Sequence, residues 1–76
     1  MPHVIIKMAS GRSDEEKNQL SKRIALAVMN VLGVSDDTIS VGIEDVDPDV
    51  WMDTVFAPDI AGRRETLFKK PGYAEV

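Results

Sequence analysis

One stretch of the chain, residues 14–32, constrains the fold more than any other. Ser13, just before it, can accept a hydrogen bond from an early backbone N–H, and Glu16 can reach back to the backbone of Ser13. Gly33 is a natural helix end. The apolar residues within the stretch recur with the spacing of one helix face: Leu20, Ile24, Ala27, Val28, Val31 and Leu32. The pattern predicts an amphipathic helix over residues 14–32, about 28 Å long.

Two short apolar segments flank this helix. Residues 4–8 are rich in β-branched side chains and apolar on both faces, which is typical of a strand in a parallel or central sheet. The second segment alternates between apolar and small or polar residues: Ile39, Ser40, Val41, Gly42, Ile43 and Glu44. Strand, helix and strand form a β-α-β unit, so we expect parallel strands with a right-handed crossover. The helix should cover the apolar face of the second strand.

The remaining residues, 47–76, must complete the core. Residues 45–49 indicate a turn, and residues 50–56 a short helical turn that Pro58 ends. A second short helix is expected over residues 59–69, with Ile60, Leu67 and Phe68 as packing residues and Tyr73 folded back. The fold class is therefore predicted to be α+β. A single small domain is expected over residues 1–76, with a β-α-β core at 1–46 and a helical C-terminal extension at 47–76.

The small size of the chain points to self-association. A chain of 76 residues buries only about 60% of its unfolded surface. It has no cysteine for disulfides or thiolate metal sites, and its one histidine excludes a metal site built on a histidine pair. Association is then the remaining way to stabilise a small core. We expect a homo-oligomer with no metal and no cofactor.

Charge and hydropathy narrow the classes of partner. The net charge of −4 disfavours a nucleic-acid-binding scaffold. No apolar run approaches the roughly 20 residues that a membrane span needs, and the run after Pro2 is too short for a signal peptide. We expect a soluble, cytoplasmic protein that binds neither nucleic acid nor a membrane.

Pro2 is the first candidate for chemistry. Methionine is usually removed when the next residue is small, and its removal would leave a free secondary amine at the start of an apolar strand. A chain amine ordinarily titrates near 7.7–8.0, and both desolvation and a nearby cation disfavour its charged form. A neutral amine is a good general base at pH 7. The alternative is that Pro2 is only a stiff start to an edge strand.

Arg12 is the second candidate, at the exit of the first strand. A strand of about seven residues separates its ends by over 20 Å, so within one subunit Arg12 should lie far from Pro2. A neighbouring subunit could bring its own Arg12 close. An arginine binds a carboxylate through a paired N–H fork, and it would also disfavour protonation of the amine. The alternative is a solvated arginine near a helix start, where the helix dipole does not favour it.

These residues together resemble a known family. Pro2 after the first methionine, an apolar strand, and then Gly-Arg-Ser-Asp-Glu-Glu-Lys at residues 11–17 resemble the 4-oxalocrotonate tautomerase family, over roughly residues 2–51. The tail, with Ala-Pro-Asp-Ile at 57–60 and Lys-Lys-Pro-Gly-Tyr at 69–73, resembles a longer subgroup that includes dimeric bacterial tautomerases similar to PptA. The resemblance implies a homodimer, with trimer or hexamer as alternatives.

The resemblance also implies a mechanism. In such a keto–enol tautomerase, the amine of Pro2 would be the general base and Arg12 would grip the substrate carboxylate. Trp51 would make the site apolar and keep the amine neutral. Shorter hexameric members carry a second arginine where this chain has Ser40, which weakens the case for a dicarboxylate substrate. A 2-oxo acid with one carboxylate and an apolar tail, of the phenylpyruvate type, is favoured, and Trp51 with Phe56 and Met52 would suit such a tail.

Two rivals stay open at this point. One is a hydratase or dehalogenase type of lyase within the same superfamily, which would need a further carboxylate such as Glu44 to activate water. The other is a non-enzymatic interaction module. The candidate site is thus Pro2 as catalytic base, with Arg12, Ser40, Trp51 and Phe56 binding substrate.

Overall fold

Both ends of the long helix fall where the sequence predicts them. In the computed structural model, which describes residues 1–76, helix α1 spans Asp14–Leu32. The Ser13 hydroxyl accepts from the backbone N–H of Glu16 at 3.1 Å, and the Glu16 carboxylate accepts from the backbone N–H of Ser13 at 3.1 Å. Gly33 adopts the left-handed conformation (φ 67°) and donates its N–H to the carbonyl of Met29 at 2.9 Å. The bounds of the predicted helix are therefore confirmed, with its capping box and its glycine end. Its predicted apolar face is only partly covered, because Ala27, Val31 and Leu32 are exposed.

Two strands flank α1 and pair with each other. Strand β1 spans His3–Ala9 and strand β2 spans Ser40–Val46. The backbone N–H of Ser40 donates to the carbonyl of Pro2 at 3.3 Å, so the two strands start side by side and run parallel. Residue 39 was expected within the second strand. It instead ends a 3₁₀ turn over Asp36–Thr38, donating its N–H to the carbonyl of Asp36 at 3.0 Å.

The helix covers one face of this two-stranded sheet. Val41 shares a cleft with Ala25 and Met29 of α1, so the alternate side chains of β2, among them Ser40, face away from the helix. An ion pair from Lys17 to Asp45 ties the helix to β2. The β-α-β arrangement is thus as predicted, with the apolar face of the second strand under the helix.

The C-terminal part of the chain is helical, but in a different way from that expected. A 3₁₀ turn over Pro48–Val50 begins at Asp47, whose carboxylate accepts from the N–H of Asp49 at 2.9 Å. A wide, π-type helix then spans Met52–Ile60 and includes Pro58. The expectation that Pro58 ends the helix was wrong. A proline removes only one backbone donor, and the wider turn relieves the crowding that a proline ring causes in an α-helix.

The second helical piece is shorter than predicted. It is a 3₁₀ helix over Ala61–Thr66, kinked at Arg63, and it ends at Leu67 rather than continuing to residue 69. Gly62 is needed here because a Cβ atom would lie 2.8 Å from the carbonyl oxygen of Ala57. Phe68 was expected to pack, but its side chain is fully exposed.

Burial is sparse throughout. By contact, the chain divides into two units, Met1–Asp45 and Val46–Val76. Val55 is the one apolar residue that is fully buried, at 4% exposure. No helix has the length and apolar character required to cross a membrane.

Candidate functional site

Pro2 lies at the start of β1, half-buried and bound to the neighbouring strand. Its carbonyl accepts the hydrogen bond from the backbone of Ser40, so the structure brings together these two predicted site residues. Met1 precedes it with a fully exposed side chain, at 104%. The nitrogen that removal of Met1 would free therefore belongs to a residue held by the sheet.

His3 also takes part in this arrangement. Its Nδ1 lies 2.5 Å from the Oγ of Ser40, across the first residues of the two strands. His3 is the one histidine of the chain and directly follows Pro2. The contact of His3 with Ser40 could have been predicted from the parallel pairing of the strands. This pairing places the first residues of β1 and β2 side by side, with both side chains away from the helix.

Arg12 lines a cleft at the other end of β1. The cleft has a volume of about 210 Å³, and Met8 and Leu20 provide its apolar lining. Three charged side chains share it: Arg12, Glu16 and Lys17. Because β1 has seven residues, Arg12 lies roughly 20 Å from Pro2 in the same chain. The cleft that Arg12 borders is lined by Met8, near the far end of β1, and Pro2 is not part of it.

The charges of this cleft are held by specific partners. Arg12 pairs with Glu16 at 3.5 Å, with 66% and 58% of the two side chains exposed. The backbone N–H of Ser13, with help from Arg12, holds the pKa of Glu16 below its usual value. The hydrogen bond to Asp45 raises the pKa of Lys17. Two cations, each paired with a carboxylate, thus border an apolar floor. A ligand carboxylate can bind Arg12 there through a paired N–H fork if it replaces Glu16 as the partner.

Trp51 and Phe56 belong to the unit of residues 46–76. Both contact a third aromatic side chain, that of Tyr73. The indole Nε1–H of Trp51 donates to the hydroxyl of Tyr73 at 3.0 Å. The ring of Tyr73 lies 5.9 Å from that of Phe56, with the planes tilted by 56°. Tyr73 therefore folds back as expected and fixes the orientation of the indole, a role that the sequence did not reveal.

No group of three or more histidine, aspartate and glutamate side chains is placed to hold a metal ion. The groups placed near these residues are cations paired with carboxylates, an imidazole, hydroxyl groups and aromatic rings.

The fold is shared with solved tautomerase homologues. YwhB, described as a homologue of 4-oxalocrotonate tautomerase, is 40% identical with a TM-score of 0.61, over 63% of this chain and 79% of YwhB. TomN, a 4-oxalocrotonate tautomerase homologue in the tomaymycin biosynthetic pathway, is 26% identical with a TM-score of 0.65, over 86% of this chain and 97% of TomN. The β-α-β unit is thus that of the small tautomerases.

Sequence comparison assigns the family. The family model described as "Tautomerase enzyme" matches residues 2–54. A probable tautomerase of Xylella fastidiosa is 45% identical over 76 residues, covering 100% of this chain and 93% of the relative. Tautomerase PptA of Pectobacterium carotovorum is 39% identical over 75 residues, covering 97% and 99%. The chain belongs to the 4-oxalocrotonate tautomerase family, and it is an isomerase of the tautomerase type.

Proposed function

We propose that this protein is a cofactor-independent keto–enol tautomerase of small 2-oxo and enol acids, with the nitrogen of Pro2 as general base after removal of Met1. The base takes the enol hydroxyl proton, and a proton is returned to the carbon next to the new carbonyl group, so atoms and charge balance within one substrate molecule. The observation that carries the proposal is the position of Pro2, held at the start of β1 behind an exposed Met1. The family match, which begins at residue 2, supports it.

Arg12 is proposed to bind the substrate carboxylate. It borders a cleft with an apolar floor and a second cation, Lys17. Because β1 separates it from Pro2 of the same chain by roughly 20 Å, the Arg12 that serves a given Pro2 comes from another subunit. Family members act on small molecules and assemble into oligomers, and we propose a homodimer in the cytoplasm for this chain.

The substrate is proposed to carry one carboxylate and an apolar tail, as phenylpyruvate does. Ser40, whose backbone N–H binds the carbonyl of Pro2, has a neutral side chain and offers no second ion pair. Trp51 and Phe56, oriented through Tyr73, supply an aromatic wall for the tail. Aromatic rings of this kind offer large apolar area and prefer tilted or offset contact with another ring.

The test is the ketonisation of phenylenolpyruvate by the parent protein and by Pro2→Ala. Loss of the base is expected to lower kcat by about 10²- to 10⁴-fold, while the circular dichroism spectrum stays unchanged. Mass spectrometry of the parent protein should show a chain that starts at Pro2. Equal rates in parent and variant, or a retained Met1 in an active protein, would refute the assignment of the base.

The alternative lyase reaction is tested with the same parent protein and a panel of other substrates. Glu44, the carboxylate considered for water activation, lies four residues beyond Ser40 on β2, about 13 Å along the strand. A panel of unsaturated and halogenated acids should therefore show slower turnover than phenylenolpyruvate. Faster hydration than tautomerisation would reverse the assignment.

A further inference from the structure

His3 and Ser40 form a hydrogen-bonded pair next to the proposed base. The two side chains meet at 2.5 Å, and the backbone of Ser40 binds the carbonyl of Pro2. His3 is the one histidine of the chain, and both side chains are exposed. A titratable ring is thus joined to a hydroxyl group of the residue that binds Pro2, the proposed general base.

The protonation of His3 decides what the hydroxyl of Ser40 can offer. A serine hydroxyl has one proton to donate. When the imidazole is neutral and Nδ1 accepts this proton, Oγ can only accept from a ligand. When the imidazole is charged, Nδ1–H donates to Oγ, and the hydroxyl proton becomes free for a ligand. The same 2.5 Å contact therefore exists in both states with opposite direction.

We infer that His3 is a positioning residue that acts through Ser40. It sets whether the hydroxyl of Ser40 donates a hydrogen bond to the oxygen of the bound 2-oxo acid or accepts one from the enol hydroxyl. The inference rests on the proposed function, and it assigns to His3 the discrimination between keto and enol forms. A keto or carboxylate oxygen only accepts hydrogen bonds, so charged His3 favours the keto form. An enol hydroxyl donates, so neutral His3 favours the enol form in the tautomer whose Nδ1 accepts from the hydroxyl of Ser40.

Other charges lie further from His3. On the same face of the sheet, Lys7 and Glu44 lie four residues along β1 and β2, about 13 Å from the pair. Asp36 and Asp37 precede β2, and Asp37 accepts from the hydroxyl of Ser35 at 2.5 Å. The charges of α1 belong to the opposite face of the sheet. Over about 13 Å exposed charges are largely screened at physiological ionic strength, so Lys7 and Glu44 act only weakly on the pair. The nearest other titratable group is the nitrogen of Pro2, in the residue before His3.

The probe is benzoylformate, a 2-oxo acid that has no hydrogen on the carbon next to the carbonyl and cannot enolise. Its inhibition constant against phenylenolpyruvate ketonisation is measured from pH 5.5 to 8.5 in the parent, His3→Asn, Ser40→Ala and the double variant. In the parent, inhibition should tighten by about tenfold at the acid end, as expected for a charge-assisted hydrogen bond. Ionisation of Pro2 gives the inhibition constant a further pH dependence, which remains in all four proteins.

The variants isolate the contribution of His3. Asparagine keeps a hydrogen-bonding group near the position of Nδ1 but does not titrate, so His3→Asn should show the pH dependence of Pro2 alone. Ser40→Ala should match it, and the double variant should add no further change. Ser10→Ala, an exposed serine beyond the other end of β1, should follow the parent. The inference would be overturned if the inhibition constant of His3→Asn followed the same pH curve as that of the parent. It would also be overturned if the effects of the two single substitutions on the inhibition constant multiplied in the double variant.

A second measurement does not depend on turnover. The imidazole proton signals of His3 are followed by NMR against pH, with and without saturating benzoylformate. Because a ligand that prefers charged His3 must favour its protonation, the midpoint should move to higher pH in the parent and move less in Ser40→Ala. Equal movement in both proteins would overturn the role of Ser40. An inactive parent, or an active Pro2→Ala, would instead refute the proposed function, and this titration would still report on the pair.

Discussion

Glu16 connects the start of α1 to the proposed carboxylate site. Its carboxylate accepts from the backbone of Ser13 and also pairs with Arg12 at 3.5 Å. The capping box therefore fixes the side chain against which Arg12 rests. Since both partners of the ion pair are more than half exposed, the pair itself contributes little to stability and serves to hold the guanidinium near the cleft.

Replacement of Arg12 tests the carboxylate contact directly. Arg12→Ala should raise KM for phenylenolpyruvate by about 10- to 100-fold, the cost of one hydrogen-bonded charge pair. Arg12→Lys should recover only part of the loss, because an ammonium group cannot form the paired N–H fork. Arg23→Ala, on the exposed surface of α1, is the matched control and should leave KM unchanged. Equal KM values for the parent and Arg12→Ala would remove Arg12 from the site.

The lowered pKa of Glu16 makes a prediction about acid stability. Its cause is chiefly the hydrogen bond from Ser13, which favours the ionised form in the folded chain. The stabilisation is present above the unfolded pKa, near the reference value of 4.5, and is lost as pH falls through the lower folded value. Glu16→Gln keeps a capping group that does not titrate, so its urea midpoint should fall less steeply below pH 4.5. Glu15→Gln is the control and should behave like the parent. The prediction would be contradicted if the urea midpoint of Glu16→Gln fell below pH 4.5 as steeply as that of the parent.

At the scale of the elements, the sequence was most informative where local chemistry decides the structure. The ends of α1 follow from Ser13, Glu16 and Gly33, because each satisfies backbone groups within a few residues of itself. The predicted start of β2 was one residue too early, because Ile39 fits both an apolar strand pattern and the end of a turn. The C-terminal helices could not be placed well, because Pro58 breaks an α-helix but not the wider turn observed.

The candidate site shows the same limit. Pro2 and Arg12 were identified from residue type and position along one strand. The contact between His3 and Ser40 depends on pairing across 37 positions of sequence, and that of Trp51 with Tyr73 on pairing across 22. Such contacts are set by the register of strands and by the path of the tail, which local patterns do not encode.

Tyr73 is predicted to orient the indole of Trp51. Tyr73→Phe keeps the ring beside Phe56 but removes the oxygen that accepts the indole N–H at 3.0 Å. Because Trp51 is the single tryptophan, the indole emission reports on the surroundings of this one ring, and its maximum should shift when the hydrogen bond is lost. KM for phenylenolpyruvate should rise by severalfold, with kcat nearly unchanged. Phe68→Leu, at a fully exposed ring, should change neither, and an unaltered emission spectrum in Tyr73→Phe would contradict the assignment.

At the scale of the whole molecule, apolar exposure is the dominant feature. One apolar side chain is fully buried, while large apolar side chains remain open in both units of the chain: Ile5, Leu26, Val31, Leu32, Val50, Met52, Phe68 and Tyr73. Ile5 is 56% exposed on the sheet face opposite α1. Apolar area of this kind stabilises a protein only when something covers it, at roughly 25 cal/mol per Å². Members of this family oligomerise, and a second subunit on the open sheet face would cover Ile5.

Stability should therefore depend on protein concentration. If subunits bury this surface against one another, dilution favours the unfolded monomer, and Tm should fall as the concentration is lowered from about 100 μM to 1 μM. Ile5→Lys places a charge on the open sheet face and should lower the sedimentation coefficient and Tm together. Gln19→Lys, an exposed change on α1, should do neither. A Tm that is constant over this range, in a protein that sediments as a monomer, would show that one chain stabilises itself, and Arg12 from another subunit could then no longer serve Pro2.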